Sequence, residues 1–171
     1  MGTEKGERAM KNPTAAERVS DCELVVTRTV NAPARIVFEA WTNPDLFRQW
    51  WTPRSFGLTI LSCEMDVRVG GGYRLTIAHP RTGLPMAFFG RYLEVMPAAR
   101  LVWTNDDAGE DGAVTTVTFE EVGGGTLVVL RDLYPSKKAL DEAIASGSTS
   151  GFGEQFAQLE EFLAAMGAAP L

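Results

Sequence analysis

From Phe56 to Leu133 the chain alternates short β-like runs with turn chemistry, and none of the breaks between runs is long enough for a crossover helix. Strands joined this tightly pair antiparallel, because a parallel pair needs a connection of a dozen residues or more. Tyr73, Leu75 and Ile77 alternate with Arg74 and Thr76, the period-two signature of a half-buried strand. Further runs cover Phe56–Val67, Met86–Met96, Leu101–Thr104, Val114–Val122 and Thr126–Leu133, the last two flanking Gly123-Gly124-Gly125 as a hairpin. Ahead of them, Leu24, Val26 and Arg28 alternate with Val25, Thr27 and Thr29 in a β-branched strand. The expectation is an antiparallel sheet of about seven strands.

Helical patterning is confined to two places. After the first strand, Pro33 is suited to open a helix, and Val37, Phe38 and Trp41 fall on one face of it. Thr42-Asn43-Pro44 breaks the pattern, and Asp45–Trp51 resumes it with Leu46, Phe47 and Trp50. Both segments are too short to stand alone in water, so packing through their aromatics must hold them. At the other end, Lys137–Ala145 is a short helix and Ser148–Met166 a longer one. Phe152, Phe156, Leu159, Leu163 and Met166 form an apolar stripe along it. One terminal amphipathic helix and one curved antiparallel sheet make an α+β domain in which the sheet grips the helix.

The chain has 171 residues, 45% hydrophobic and 22% charged, enough for one domain with a substantial core. A formal charge of −6 argues against nucleic acid, which needs clustered Lys and Arg. No apolar run is long enough to span a membrane. Residues 1–20 are polar, lack the apolar stretch of a signal peptide, and are expected to be a disordered leader of a cytoplasmic protein, with the domain at 21–168. Cys22 and Cys63 stand apart and outside any CxxC pattern, so free thiols are expected. With one histidine, His79, expected in an exposed turn, there is no zinc ligand set, and no cofactor is implied. The glycine runs Gly70–Gly72 and Gly123–Gly125 lack nucleotide-loop spacing. The acidic run Asp106–Asp111 lacks the EF-hand pattern.

Four blocks, in order, resemble the START-like (SRPBCC) superfamily and within it the AHSA-like family, named for the activator of the heat-shock-protein-90 ATPase. They are "VNAPARIVFEAWTNPDLFRQWWTP", Asp66-Val67-Arg68-Val69-Gly70-Gly71, "GRYLEVMPAARLVWT" and "ASGSTSGFGEQFAQLEEFL", in which Phe152 stands where Trp is usual. The resemblance covers about Cys22 to Met166. It implies a helix-grip fold with a cavity between sheet and C-terminal helix, of the kind that holds lipids, polyketides and other apolar molecules. It also implies, as alternatives, a chaperone-accessory or stress-response protein-interaction module, or a cyclase- or hydrolase-like enzyme.

Within that frame the ligand-binding candidates are Trp50, Trp51, Tyr73, Ile77, Phe88, Tyr92, Trp103, Phe152 and Phe156. Adjacent residues on a helix differ by about 100°, so Trp50 and Trp51 cannot share a direction, and one of them is expected at the cavity rim. Tyr73, Ile77, Phe88, Tyr92 and Trp103 share a sheet face on plausible registers, opposite Phe152 and Phe156. Tyrosine and tryptophan join an apolar body to one polar atom, which suits an amphipathic ligand. Glu64, Glu94 and Asp132 are general bases only if buried. Asp66 and Arg68 are spaced for an ion pair or an orienting polar pair, and beside Gly70–Gly72 they are expected rather to shape a strand end. The expected partner is a small apolar or amphipathic molecule, with a chaperone or other protein as the alternative, and the chain a monomer or homodimer.

Overall fold

A computed structural model describes residues 13–167. Eight strands form the sheet: β1 (Ala15–Arg18), β2 (Glu23–Val30), β3 (Thr59–Met65), β4 (Gly72–Ala78), β5 (Pro85–Met96), β6 (Arg100–Thr104), β7 (Val114–Val122) and β8 (Gly125–Leu133). Their order is β1-β2-β8-β7-β6-β5-β4-β3, every neighbour antiparallel. Strands β3 to β8 run as a meander, and β2 joins it through a long-range pairing with β8.

The eighth strand corrects the expected count. Ala15–Arg18 lies in the stretch read as a leader and pairs with Leu24–Thr27 at the sheet edge. All four of its residues are exposed, so backbone pairing alone makes it a strand and no hydrophobic alternation announces it. Residues 1–12 of the expected leader, and residue 168, lie outside the described residues.

Helices α1 (Ala34–Thr42) and α2 (Pro44–Phe47) follow β2. Pro33 precedes the first, and the Asn43 side chain caps the second by accepting the Asp45 N–H at 2.9 Å. α2 ends at Phe47 and gives way to turns, rather than running to Trp51 as the pattern suggested. α3 (Lys137–Ala145) has the expected bounds, capped by Ser136. α4 (Phe152–Ala165) starts later than expected, because 147–151 form a turn with Gly147 at φ +83°.

α1 packs on β7 and β8 and α2 on β3, while α4 lies across β1 and β2. Val37, Ala40, Trp41, Trp50, Phe156, Leu159 and Leu163 form the core with Val26, Leu101, Val117 and Leu130 from the sheet. Each large apolar side chain buried here contributes roughly 1.5–3 kcal/mol. Trp41 is the hub, with ring centroids 4.8 Å from Trp50 and 6.0 Å from Trp103, Phe119 and Phe156. The helix is fixed to the sheet by Arg28, which donates to Glu160 from Nη2 at 2.7 Å and from Nε at 3.1 Å. Glu160 Oε2 also accepts the Asn31 N–H at 3.0 Å. Arg28 is thus the buried polar member of the alternation in β2, which continues to Val30.

Candidate functional site

Between the concave face of the sheet, the loop after α2 and the N-terminal part of α4 lies a cavity of about 740 Å³. Its floor is one register row across four strands. Tyr92 on β5 faces Trp103 on β6, Trp103 faces Thr115 on β7, and Thr115 faces Asp132 on β8. Opposed residues share a sheet face, so all four turn the same way and all four line the cavity. Tyr73 and Ile77 on β4 and Phe88 on β5 continue the wall, with Phe88 exposed at its edge.

Gly90 permits the row to close up against β4. A Cβ there would collide with the Thr104 carbonyl and approach the Tyr73 ring to 2.9 Å. Tyr73 instead lies over Gly90 and donates its hydroxyl to Thr104 O at 2.8 Å, with Asn105 Oδ1 at 3.2 Å.

Trp51 and Phe152 supply the opposite side. Trp51 is half-buried and stacks on Phe47 at 4.7 Å. The loop carrying it is clamped by two glutamines of α4. Gln158 Nε2 donates to Trp50 O and Thr52 O, both at 2.9 Å, while its Oε1 accepts the Arg54 N–H at 2.9 Å. Gln155 donates to Trp51 O. Gly151 lets this helix end abut the loop, since a Cβ there would meet Pro53 at 2.9 Å.

The candidates therefore divide. Trp51, Tyr73, Ile77, Phe88, Tyr92, Trp103 and Phe152 line the cavity. Trp50 and Phe156 do not, and this corrects the expectation for both. Each is fully buried in the core behind the wall. Trp50 spends its indole N–H on the Ala40 carbonyl at 3.1 Å, and Phe156 packs edge-on against Trp41. Trp50 and Trp51 do diverge as expected, one into the core and one onto the cavity.

The polar candidates divide as well. Glu64 and Glu94 are exposed, and Glu94 pairs with Arg100 at 3.1 Å. Asp66 and Arg68 form an exposed ion pair at 3.0 Å. His79 is half-buried, and its Nδ1 accepts the N–H groups of Arg81 and Thr82, so it caps the β4–β5 turn. Cys22 and Cys63 are free, and burial pushes up the pKa of the Cys63 thiol in the cavity wall.

Asp132 is different. It is 8% exposed and carries no ion pair among the described residues. Asn105 Nδ2 donates to Thr115 Oγ1 at 2.9 Å and to Ala113 O at 2.7 Å, and Thr115 Oγ1 donates to Asp132 Oδ1 at 2.6 Å. Because Thr115 already accepts from Asn105, its one proton is committed to the carboxylate. Burial raises the pKa of Asp132 to about 6, and the Thr115 hydrogen bond holds it down only in part. Tyr134, beside it in the same wall, is raised to about 12 by burial and by the Asp132 charge. The residues that sequence reasoning missed are Thr115, Asn105, Gln155 and Gln158. The two glutamines were visible as polar positions beside an apolar stripe, whereas Thr115 and Asn105 acquire meaning only through strand register.

A curved antiparallel sheet closed over by a C-terminal helix, with a cavity between them, defines the helix-grip class of START-like proteins. The family model described as Activator of Hsp90 ATPase homolog 1-like protein matches residues 31–164, and the chain belongs to that family. Solved structures with the same fold include a protein from Rhodobacter sphaeroides, 24% identical with a TM-score of 0.81, covering 90% of this chain and 99% of that one. A Nitrosomonas europaea protein, 23% identical with a TM-score of 0.79, covers 88% and 99%. The AHSA1-like protein from Aeromonas hydrophila, 20% identical with a TM-score of 0.69, covers 85% and 94%. No curated protein matches the chain significantly.

Proposed function

We propose that the protein binds a small apolar or amphipathic molecule in the cavity between the sheet and α4. The observation that carries this reading is the cavity itself. Its volume of about 740 Å³ falls within the usual range for ligand pockets, and Trp51, Tyr73, Tyr92, Trp103 and Phe152 stand in its wall. Such a wall attracts an apolar body at about 25 cal/mol per Å² buried. The family name also raises a chaperone-accessory role. The aromatic side chains favour the ligand instead, since most turn into core and cavity rather than onto an outer face. The test is organic extraction and mass analysis of the purified protein, with thermal shift against lipid and aromatic-metabolite panels. Binding that is lost in Trp103→Ala and retained on a distant surface variant is the expected result.

A second reading, acid–base catalysis on the bound molecule, draws support from Asp132, a buried carboxylate in the cavity wall with a pKa raised to about 6. It is tested by looking for a changed mass in the ligand recovered after incubation. Asp132→Asn should abolish that change even at ligand concentrations that saturate the variant.

A further inference from the structure

The charged groups of the cavity wall are predominantly acidic. Glu64, Asp107, Asp111, Asp132 and Glu142 line it against a single cation, Arg74. Four of these acids are exposed toward water, and Arg74 sits over the Phe89 ring at 5.4 Å. The fifth, Asp132, is nine-tenths buried at the end of the Tyr92–Trp103–Thr115–Asp132 row. Its Oδ1 takes the Thr115 hydrogen bond, the one side-chain hydrogen bond to this carboxylate among the described residues, and Asp132 lines the cavity. A buried carboxylate without a cation is a costly arrangement, stabilised when a ligand brings the missing charge.

We propose that the ligand is an amphipathic amine, its apolar body against the aromatic wall and its protonated nitrogen on Asp132. The inference rests on the ligand-binding reading above and adds the chemical class of the ligand. Trp103 and Tyr92 lie in the same row, two and three strands from Asp132 with Thr115 between, and present aromatic surface to the apolar body of the ligand. Asn105 donates to Thr115, and Thr115 in turn donates to Asp132, so the carboxylate stands as an acceptor and the donating is left to the ligand.

Binding then depends on the protonation of Asp132. The titratable and charged groups that line the cavity with it are Cys63 and Glu64 on β3, Tyr73 and Arg74 on β4, Tyr92 on β5, Asp107 and Asp111 in the turn after β6, Tyr134 after β8 and Glu142 on α3. Burial pushes all three tyrosines upward, away from the range of interest. A pH effect that comes from Glu64, Glu142, Asp107 or Asp111 survives Asp132→Asn, whereas one that comes from Asp132 does not.

The experiment compares three fluorescent probes with one apolar body: 1-pyrenemethylamine, 1-pyrenemethanol and 1-pyrenecarboxylic acid. Each is titrated into the full chain and into Asp132→Asn at pH 5 and pH 8. At pH 8 the amine should bind about tenfold more tightly than the alcohol, the size of one charge-assisted hydrogen bond, with the acid weakest. The preference should shrink at pH 5 and vanish in Asp132→Asn at both pH values. Thr115→Val, which keeps the carboxylate, should retain the preference, and thermal melts confirm that both variants fold. Equal affinities for amine and alcohol at pH 8, or a preference that survives Asp132→Asn, overturn the amine while leaving the cavity reading intact. Failure of all three probes to bind overturns the cavity reading and the amine with it.

Discussion

Thr115 on β7 donates its hydroxyl to Asp132 on β8 at 2.6 Å, across a directly opposed pair of the ladder. The pair places a carboxylate in the wall of an otherwise largely apolar cavity and ties it to Asn105 behind it.

The first expected consequence concerns stability against pH. The carboxyl of Asp132 has a folded pKa of about 6, above its ordinary 3.8. A raised value means the folded chain holds the proton more tightly than the unfolded one. The favourable contribution is therefore complete below pH 3.8 and is lost as pH rises through about 6. The shift corresponds to about 3 kcal/mol. Asp132→Asn keeps the shape and removes the ionisation, so its stability relative to the native chain should rise by about 1–3 kcal/mol between pH 4 and pH 8. Denaturant melts of both proteins at the two pH values measure the difference directly. A difference that is flat with pH contradicts the burial of an ionisable group at this position.

A second expectation concerns the clamp on the Trp51 loop. Gln158→Ala strands the Trp50 and Thr52 carbonyls and the Arg54 N–H. The loss should be about 1–3 kcal/mol. Thr52, which accepts one of these bonds, and its neighbour Trp51 both line the cavity, so ligand affinity should fall together with stability. Gln158→Glu keeps the acceptor for Arg54 N–H and loses both donors, and an intermediate effect is expected. Thermal melts and ligand titration on the two variants check the order.

How much of this was legible beforehand differs by element. The alternation of Leu24, Val26 and Arg28 marked β2 and its buried face, and the Gly123–Gly125 run marked the β7–β8 hairpin. Both are local signals, read from period and turn chemistry. The shared face of Tyr73, Ile77, Phe88, Tyr92 and Trp103 was also recoverable, because side chains alternate regularly along each strand. Strand β1 was not legible, because Ala15–Arg18 is held by backbone pairing to β2 and buries nothing. Trp50 and Phe156 misled for the opposite reason. Their apolar character is the same whether they fill a core or line a cavity, and only the placement of Trp41 between them decides. The importance of Asp132 rests on the β7–β8 register, which sets Thr115 against it and which no single segment encodes.

A third expectation addresses the docking of α4. Arg28 and Glu160 are largely buried, and removing one partner leaves an uncompensated charge. Glu160→Gln should destabilise by about 3 kcal/mol, whereas the double replacement Arg28→Met with Glu160→Leu should recover much of that loss. A double-mutant cycle by chemical denaturation gives the coupling. Additive effects contradict the pairing.

The cavity wall supplies a fourth expectation. Tyr92→Ala and Trp103→Ala each enlarge the cavity and remove apolar surface from its floor. Affinity for a bound apolar ligand should fall by about tenfold or more in each, with the sheet retained by circular dichroism. Trp50→Phe, by contrast, keeps the cavity and deletes one core hydrogen bond to Ala40. It should lower stability by about 1–2 kcal/mol with little effect on affinity.

The most direct test of the central claim is native mass spectrometry of the freshly purified chain, followed by organic extraction of whatever it carries. A discrete small molecule that co-purifies with the native protein, and is absent from Trp103→Ala, is the predicted result. A bare mass, together with no thermal shift across lipid and aromatic-amine panels, would contradict ligand binding in this cavity.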